Sequence, residues 1–222
     1  MARRSTDDPR DTHGTPSDGP RRDGKAGGGR RRLTADDWAE AALSAIGEGG
    51  LSAVAVEPIA ARLGTTKGSF YWHFANRDAL VDAALERWEQ LHTEAVIATA
   101  EAEPDPERRL RVLFAHASAA SAADPLEVSL LATAAEPRVA AALRRVTDRR
   151  IGYVTGLFAA LGFPAAEARL RGLLAYTAYL GNTQLGHAVP ESLPGEADRD
   201  RYLDSVIDTL LCREGPGATG RR

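Results

Sequence analysis

Gly64-Thr65-Thr66-Lys67-Gly68-Ser69-Phe70-Tyr71-Trp72-His73-Phe74-Ala75-Asn76-Arg77-Asp78-Ala79-Leu80 is the stretch that decides how this chain is read. Before it lies a short run of helical period, Val56–Leu63, and the glycine between them suits a tight turn. The spacing predicts a positioning helix, a turn at Gly64, and a second helix over Thr66–Phe74 that can enter a DNA major groove. Ile59, Ala60, Leu63, Phe70 and Phe74 supply the apolar contacts that pack the pair, and Ala60 is small where two helices must approach. Thr65 or Thr66 can cap the second helix. Thr66, Lys67 and Ser69 then sit at its N-terminal end, where the dipole and free N–H groups favour phosphate. An ordinary helical hairpin with a solvated polar face has the same spacing, so the spacing alone is only moderately specific.

Outward from this stretch, almost everything has helical period. No run of alternating β-branched residues is bounded by hairpin turns, so the expected class is all-α with about nine helices. A first helix starts near Thr34, with Asp37 three residues on as a weak capping box, and Gly47, Gly49 and Gly50 end it. Asn76 can cap a fourth helix running to about Ala100, and Pro104 and Pro106 interrupt there. A helix through Leu110–Ala120 follows. Asp124-Pro125-Leu126-Glu127 reads as a helix start with Asp as N-cap. Pro137 opens a helix to about Leu161, and the last two helices are expected at about 165–188 and 196–211. Leu203, Ile207 and Leu210, with Val206 and Leu211, mark one face of the last.

The chain has 222 residues, 43% hydrophobic and 27% charged, which suits a globular protein with an ample core. Its single cysteine, Cys212, excludes an internal disulfide and a Cys-based zinc finger. No secretory h-region is visible near the start, and Gly172–Pro190, the longest uncharged stretch of the body, is too polar for a lipid-facing helix. The expected location is cytoplasmic, with no membrane partner. The net charge of −3 is unevenly placed: residues 1–33 carry nine Lys/Arg against five Asp, and 34–80 carry three basic residues against six acidic. Residues 1–33 hold too little apolar surface to offset the entropy of ordering and read as a disordered basic arm; 213–222 read as a disordered tail.

The quoted string resembles the recognition region of the TetR (tetracycline-repressor-like) family of bacterial transcription regulators, and the resemblance reaches back through Trp38–Ile46 and Gly50–Leu63. It implies a helix-turn-helix DNA-binding domain at 34–80 and an effector-binding and dimerisation domain at 81–212. By the same resemblance, Lys67, Ser69 and Trp72 face bases or the groove floor, Tyr71 and His73 bind phosphates, and Arg77 meets the backbone. Thr65 and Thr66 complete the expected DNA-binding set. The chain departs from the pattern at Ala55, where the family often caps its second helix with Thr or Ser. Because 34–80 is acidic and DNA affinity rests on phosphate neutralisation, Arg30, Arg31 and Arg32 are expected to act as an arm on the backbone or in the minor groove.

The resemblance also implies a homodimer through the last two helices, an operator of double-stranded DNA, and a small-molecule effector. Candidate cavity residues, chosen by type and helix position, are Trp88, His92, Phe114, His116, Tyr153, Phe158, Tyr176, Tyr179 and Asn182. Several aromatics and few buried-looking charges favour an apolar or aromatic effector. No cofactor, metal or catalytic residue is expected: Glu89-x-x-His92 has di-iron spacing without a second copy, Cys212 has no acid/base partner, and no Gly-x-Ser-x-Gly appears. The rival readings are an all-α enzyme and a regulator or interaction module of the same fold without an effector.

Overall fold

The computed structural model describes residues 32–121 and 125–213. Among the described residues the regular structure is all helical: α1 (Ala35–Gly49), α2 (Val56–Arg62), α3 (Lys67–Phe70), α4 (Arg77–Glu89), α5 (Ala95–Glu101), α6 (Pro106–Ser121), α7 (Leu126–Ala132), α8 (Pro137–Ala160), α9 (Ala165–Ala188) and α10 (Glu196–Leu211). A π-helical segment, Gln90–Glu94, joins α4 to α5 without a break. Counted as one rod, they leave nine α-helices among the described residues, as the pattern predicts.

Local chemistry fixes the boundaries. Thr34 accepts the Asp37 N–H while the Asp37 carboxylate accepts the Thr34 N–H at 2.7 Å, a reciprocal cap. Gly50 ends α1 at φ 70°, a backbone state that only glycine adopts without strain. Asn76 Oδ1 accepts the Ala79 N–H at 2.9 Å and opens α4. Asp105 caps α6 through the Arg108 N–H at 2.9 Å. Pro125 occupies the N-cap position of α7; the expected cap, Asp124, lies outside the described residues. Ala55 precedes α2 with no side-chain cap, as its residue type requires.

Two apolar clusters follow. The first joins Trp38 and Ile46 of α1, Ile59 of α2, Phe70 of α3 and Leu80, Leu85 and Trp88 of α4 to Leu130 of α7 and Val139 of α8. This core therefore runs across position 80 without interruption. The second joins Leu110 and Phe114 of α6, Phe158 of α8, Ala168 and Ala175 of α9, and Leu203, Ile207 and Leu210 of α10. Between α8 and α9 the backbones come close. A Cβ built on Gly172 would lie 3.1 Å from the Thr155 nitrogen and 3.2 Å from its Cα, so a larger residue there would press the two helices apart.

Candidate nucleic-acid interface and ligand cavity

α3 is held by one residue pointing inward. Phe70 is fully buried, edge-on to Trp38 at 5.5 Å between ring centres and stacked on Phe74 at 5.7 Å. The next two side chains face away from that anchor: Tyr71 is 58% exposed and Trp72 84%. The helix is shorter than the expected Thr66–Phe74. It is regular only over Lys67–Phe70 and then tightens, with Trp72 N–H bonded to Ser69 O and His73 N–H to Phe70 O. A glycine and four aromatic residues among Gly68–His73 and Phe74 include no strong helix former, which accounts for the change. Gly64 makes the preceding turn at φ 64°.

The remaining expected DNA-binding residues are placed as follows. Thr66 stands at the N-cap position of α3 in extended conformation but makes no side-chain cap bond. Lys67 donates from Nζ to Glu57 Oε1 of α2 at 2.8 Å. That bond, and the charge behind it, holds Glu57 below and Lys67 above their ordinary pKa values. Ser69, Thr65 and His73 are half-buried. Arg77 has a structural role: Nε donates to Val54 O at 2.7 Å and an Nη to Leu51 O at 2.6 Å, pinning the segment before α2 to the start of α4. Arg32 is the first described residue and is exposed; Arg30 and Arg31 lie outside the described residues.

A cavity of about 110 Å³ opens among α5, α6, α8, α9 and the π-helical segment. Of the nine expected residues it brings together six: His92, Phe114, His116, Tyr153, Tyr176 and Tyr179. The other three are elsewhere. Trp88 is wholly buried in the first apolar cluster, Phe158 packs on Phe163 in the second, and Asn182 accepts a hydrogen bond from Tyr202 at 3.0 Å.

Sequence reasoning missed the most strongly bonded group in the wall. Arg150 donates from Nη1 to both Glu127 oxygens at 2.7 and 3.0 Å, from Nε to Thr93 Oγ1 at 2.9 Å, and from Nη2 to His92 O at 3.0 Å. Its guanidinium lies over the rings of Trp88 and Tyr179. Tyr179 donates its hydroxyl to Glu127 Oε2. Burial opposes the charge on Arg150, but Glu127 outweighs it and the guanidinium is held more firmly protonated. Burial and then the Glu127 charge push the Tyr179 phenol far above its ordinary range, so it stays a neutral donor. One signal was present: Arg150 stands on the inward stripe of α8 with Val139, Leu143, Val146 and Leu157.

The di-iron spacing has an ordinary use, since Glu89 receives a hydrogen bond from Arg145 at 3.1 Å. Among the described residues no group of three His, Cys, Asp or Glu is placed to hold a metal ion, and no helix is long and apolar enough to cross a membrane.

Residues 39–84 match the model of the bacterial regulatory proteins of the tetR family. Over that stretch, a fifth of its length, the chain is similar to the TetR family. A comparison with curated proteins finds no match. Among solved structures, a transcriptional regulator from Rhodococcus sp. Rha1 is similar at 21% identity, with 81% of this chain and 96% of that one covered and a TM-score of 0.66. SmeT, the repressor of the Stenotrophomonas maltophilia multidrug efflux pump SmeDEF, is 23% identical over 81% of this chain and 89% of its own, with a TM-score of 0.57. AibR, in complex with isovaleryl coenzyme A and operator DNA, is 17% identical over 79% and 97%, with a TM-score of 0.58. At these identities the likeness establishes the all-α fold that TetR regulators share.

Proposed function

We propose that this chain is a TetR-type regulator, a homodimeric repressor that leaves its operator when a small molecule fills the cavity. The observation that carries the DNA reading is the outward pair Tyr71–Trp72 on a helix anchored only by Phe70. Two large aromatic side chains are left in water beside Lys67, and burial against a groove would remove that exposed surface from water. In this reading 34–80 reads DNA, with Lys67, Ser69 and Trp72 towards bases, Thr65, Thr66, Tyr71 and His73 towards phosphate, and Arg77 towards the backbone once its carbonyl partners yield. Arg30–Arg32 supply the positive charge the domain lacks. Residues 81–212 bind the effector and the second subunit.

α9 supports the dimer. Its Leu170 is 67% exposed, and Leu173, Leu174 and Leu185 join it on a surface with no formal charge from Gly172 to Pro190. A second copy of the same face would cover these leucines and set two recognition helices in successive major grooves, about 34–36 Å apart. The cavity supports an apolar or aromatic effector, since Val96, Ile97, Leu113, Phe114 and Val154 line it together with the rings of Tyr153, Tyr176 and Tyr179. The rod α4–α5 touches both the reading domain and the cavity, so a ligand that prefers one rod position shifts the DNA-bound population by that preference. The neighbour AibR, solved with a ligand and operator DNA together, is in keeping with this reading.

Footprinting on the DNA flanking the protein's own gene, across a salt series and against unrelated DNA, tests it. A protected, roughly two-fold-symmetric site is expected, lost in Trp72→Ala; sequence-independent protection alone would overturn the repressor reading. Removing residues 1–32 should weaken binding and flatten its salt slope; an unchanged slope would remove the arm.

A further inference from the structure

Arg150 lines the cavity, and its charge is balanced by Glu127, which sits behind the lining. Resting on the effector reading above, we infer that the cavity selects an uncharged ligand with an apolar body and a single acceptor, and that the Glu127–Arg150 pair enforces this by rejecting carboxylates.

The donor count of Arg150 carries the inference. A carboxylate is normally gripped by two parallel N–H groups on one edge of a guanidinium. Here all three guanidinium nitrogens already donate: Nε to Thr93, Nη1 to both oxygens of Glu127, and Nη2 to the His92 carbonyl. Four of its five N–H groups are committed, so no edge offers two free N–H groups, and a carboxylate gripped by two would have to displace one of these acceptors. It would also bring a second negative charge beside Glu127, whose own oxygens are engaged by Arg150 and Tyr179. The pair is nearly out of water, with side chains 12% and 9% exposed, so solvent screens this repulsion little. A neutral acceptor meets neither obstacle. The Tyr176 hydroxyl, shared with Thr147 at 3.1 Å, borders the same wall and can turn to donate. The rest of the lining, with Val96, Ile97, Leu113, Phe114 and Val154, suits an aliphatic or aromatic body.

The test uses the full-length protein and matched pairs that differ only in charge: benzamide and benzoate, phenylacetamide and phenylacetate, hexanamide and hexanoate. Binding is read by titration calorimetry. The amide of a pair is expected to bind at least about tenfold tighter than its carboxylate. In Glu127→Gln, which leaves Arg150 unbalanced, the preference should move towards the carboxylate by about tenfold or more. If Glu127→Gln does not fold, the paired change Arg150→Met with Glu127→Leu takes its place. It removes the rejecting pair, so the amide preference should shrink by about tenfold or more. Equal or tighter carboxylate binding by the unaltered protein overturns the inference and leaves the effector reading standing. An unmoved preference in folded Glu127→Gln, or in the double variant that replaces it, also overturns it. If no compound of any pair binds, the effector reading itself fails.

Discussion

Two regions of this molecule each join a cation to a carboxylate, and the two pairs serve opposite ends. On the surface beside the exposed Tyr71 and Trp72, Lys67 meets Glu57 with side chains 52% and 72% exposed. At the cavity, Arg150 of the wall meets Glu127 behind it, with side chains 12% and 9% exposed. In water the first pair gains little from its contact and is screened by salt, so it can open whenever a phosphate or base offers Lys67 more. The second is fixed. Neither partner can be left alone in a low dielectric, and Thr93, Tyr179 and the His92 carbonyl hold the pair in one geometry. The same two charge types thus make a releasable contact at the surface and a permanent one inside. Exposure decides which.

Breaking the inner pair should have the largest effect. Glu127→Leu strands the Arg150 charge and is expected to destabilise the fold by about 3–5 kcal/mol, read as a lower midpoint in urea. A change under about 1 kcal/mol would mean that water reaches Arg150 and the contrast is lost. Next comes Tyr179→Phe, which removes one donor from Glu127 and should cost about 1–3 kcal/mol in the same assay. Changing both partners together, Arg150→Met with Glu127→Leu, should return stability to within about 1 kcal/mol of the original, because the stranded charge is gone. Recovery of none of the loss would show that packing rather than charge set the first result. The smallest stability effect belongs to Glu57→Gln on the outside: the unfolding midpoint should not move, while DNA binding tightens and its salt dependence steepens by about one counterion as Lys67 is freed. An unchanged salt slope would mean that Lys67 does not reach phosphate.

What the sequence shows plainly is what local chemistry sets. Thr34, Asn76, Gly50, Gly64 and Pro164 mark their boundaries because each acts on its own few residues. The aromatic recognition stretch was legible for the same reason, although its helix is shorter than its length suggested. Six of nine cavity residues were legible because aromatic residues on inward faces of packed helices tend to meet. The Arg150–Glu127 pair was not, since the partners lie 23 residues apart on different helices and only the packing of α7 on α8 joins them. Arg77 has a use that the sequence did not show. Its position suggests a backbone contact, while the folded chain gives its guanidinium to two carbonyls of its own.

The π-helical segment also escaped the periodic reading, and it sets an angular phase along the rod. Through α4 the buried residues Leu80, Val81, Ala84, Leu85 and Trp88 keep step with an ordinary helix. The next three are Thr93, Ile97 and Ala100, one place later than that step would put them. The widened turn, where the Ala95 N–H reaches back to Gln90 O, absorbs the extra residue. Each residue of an α-helix advances the azimuth by about 100°, so without this turn α5 would aim a different side at α6. The rod is a single shaft cut with two screw threads out of register. One is indexed to the reading domain and the other to the cavity, and the joint between them is where the Arg150 guanidinium grips the His92 carbonyl.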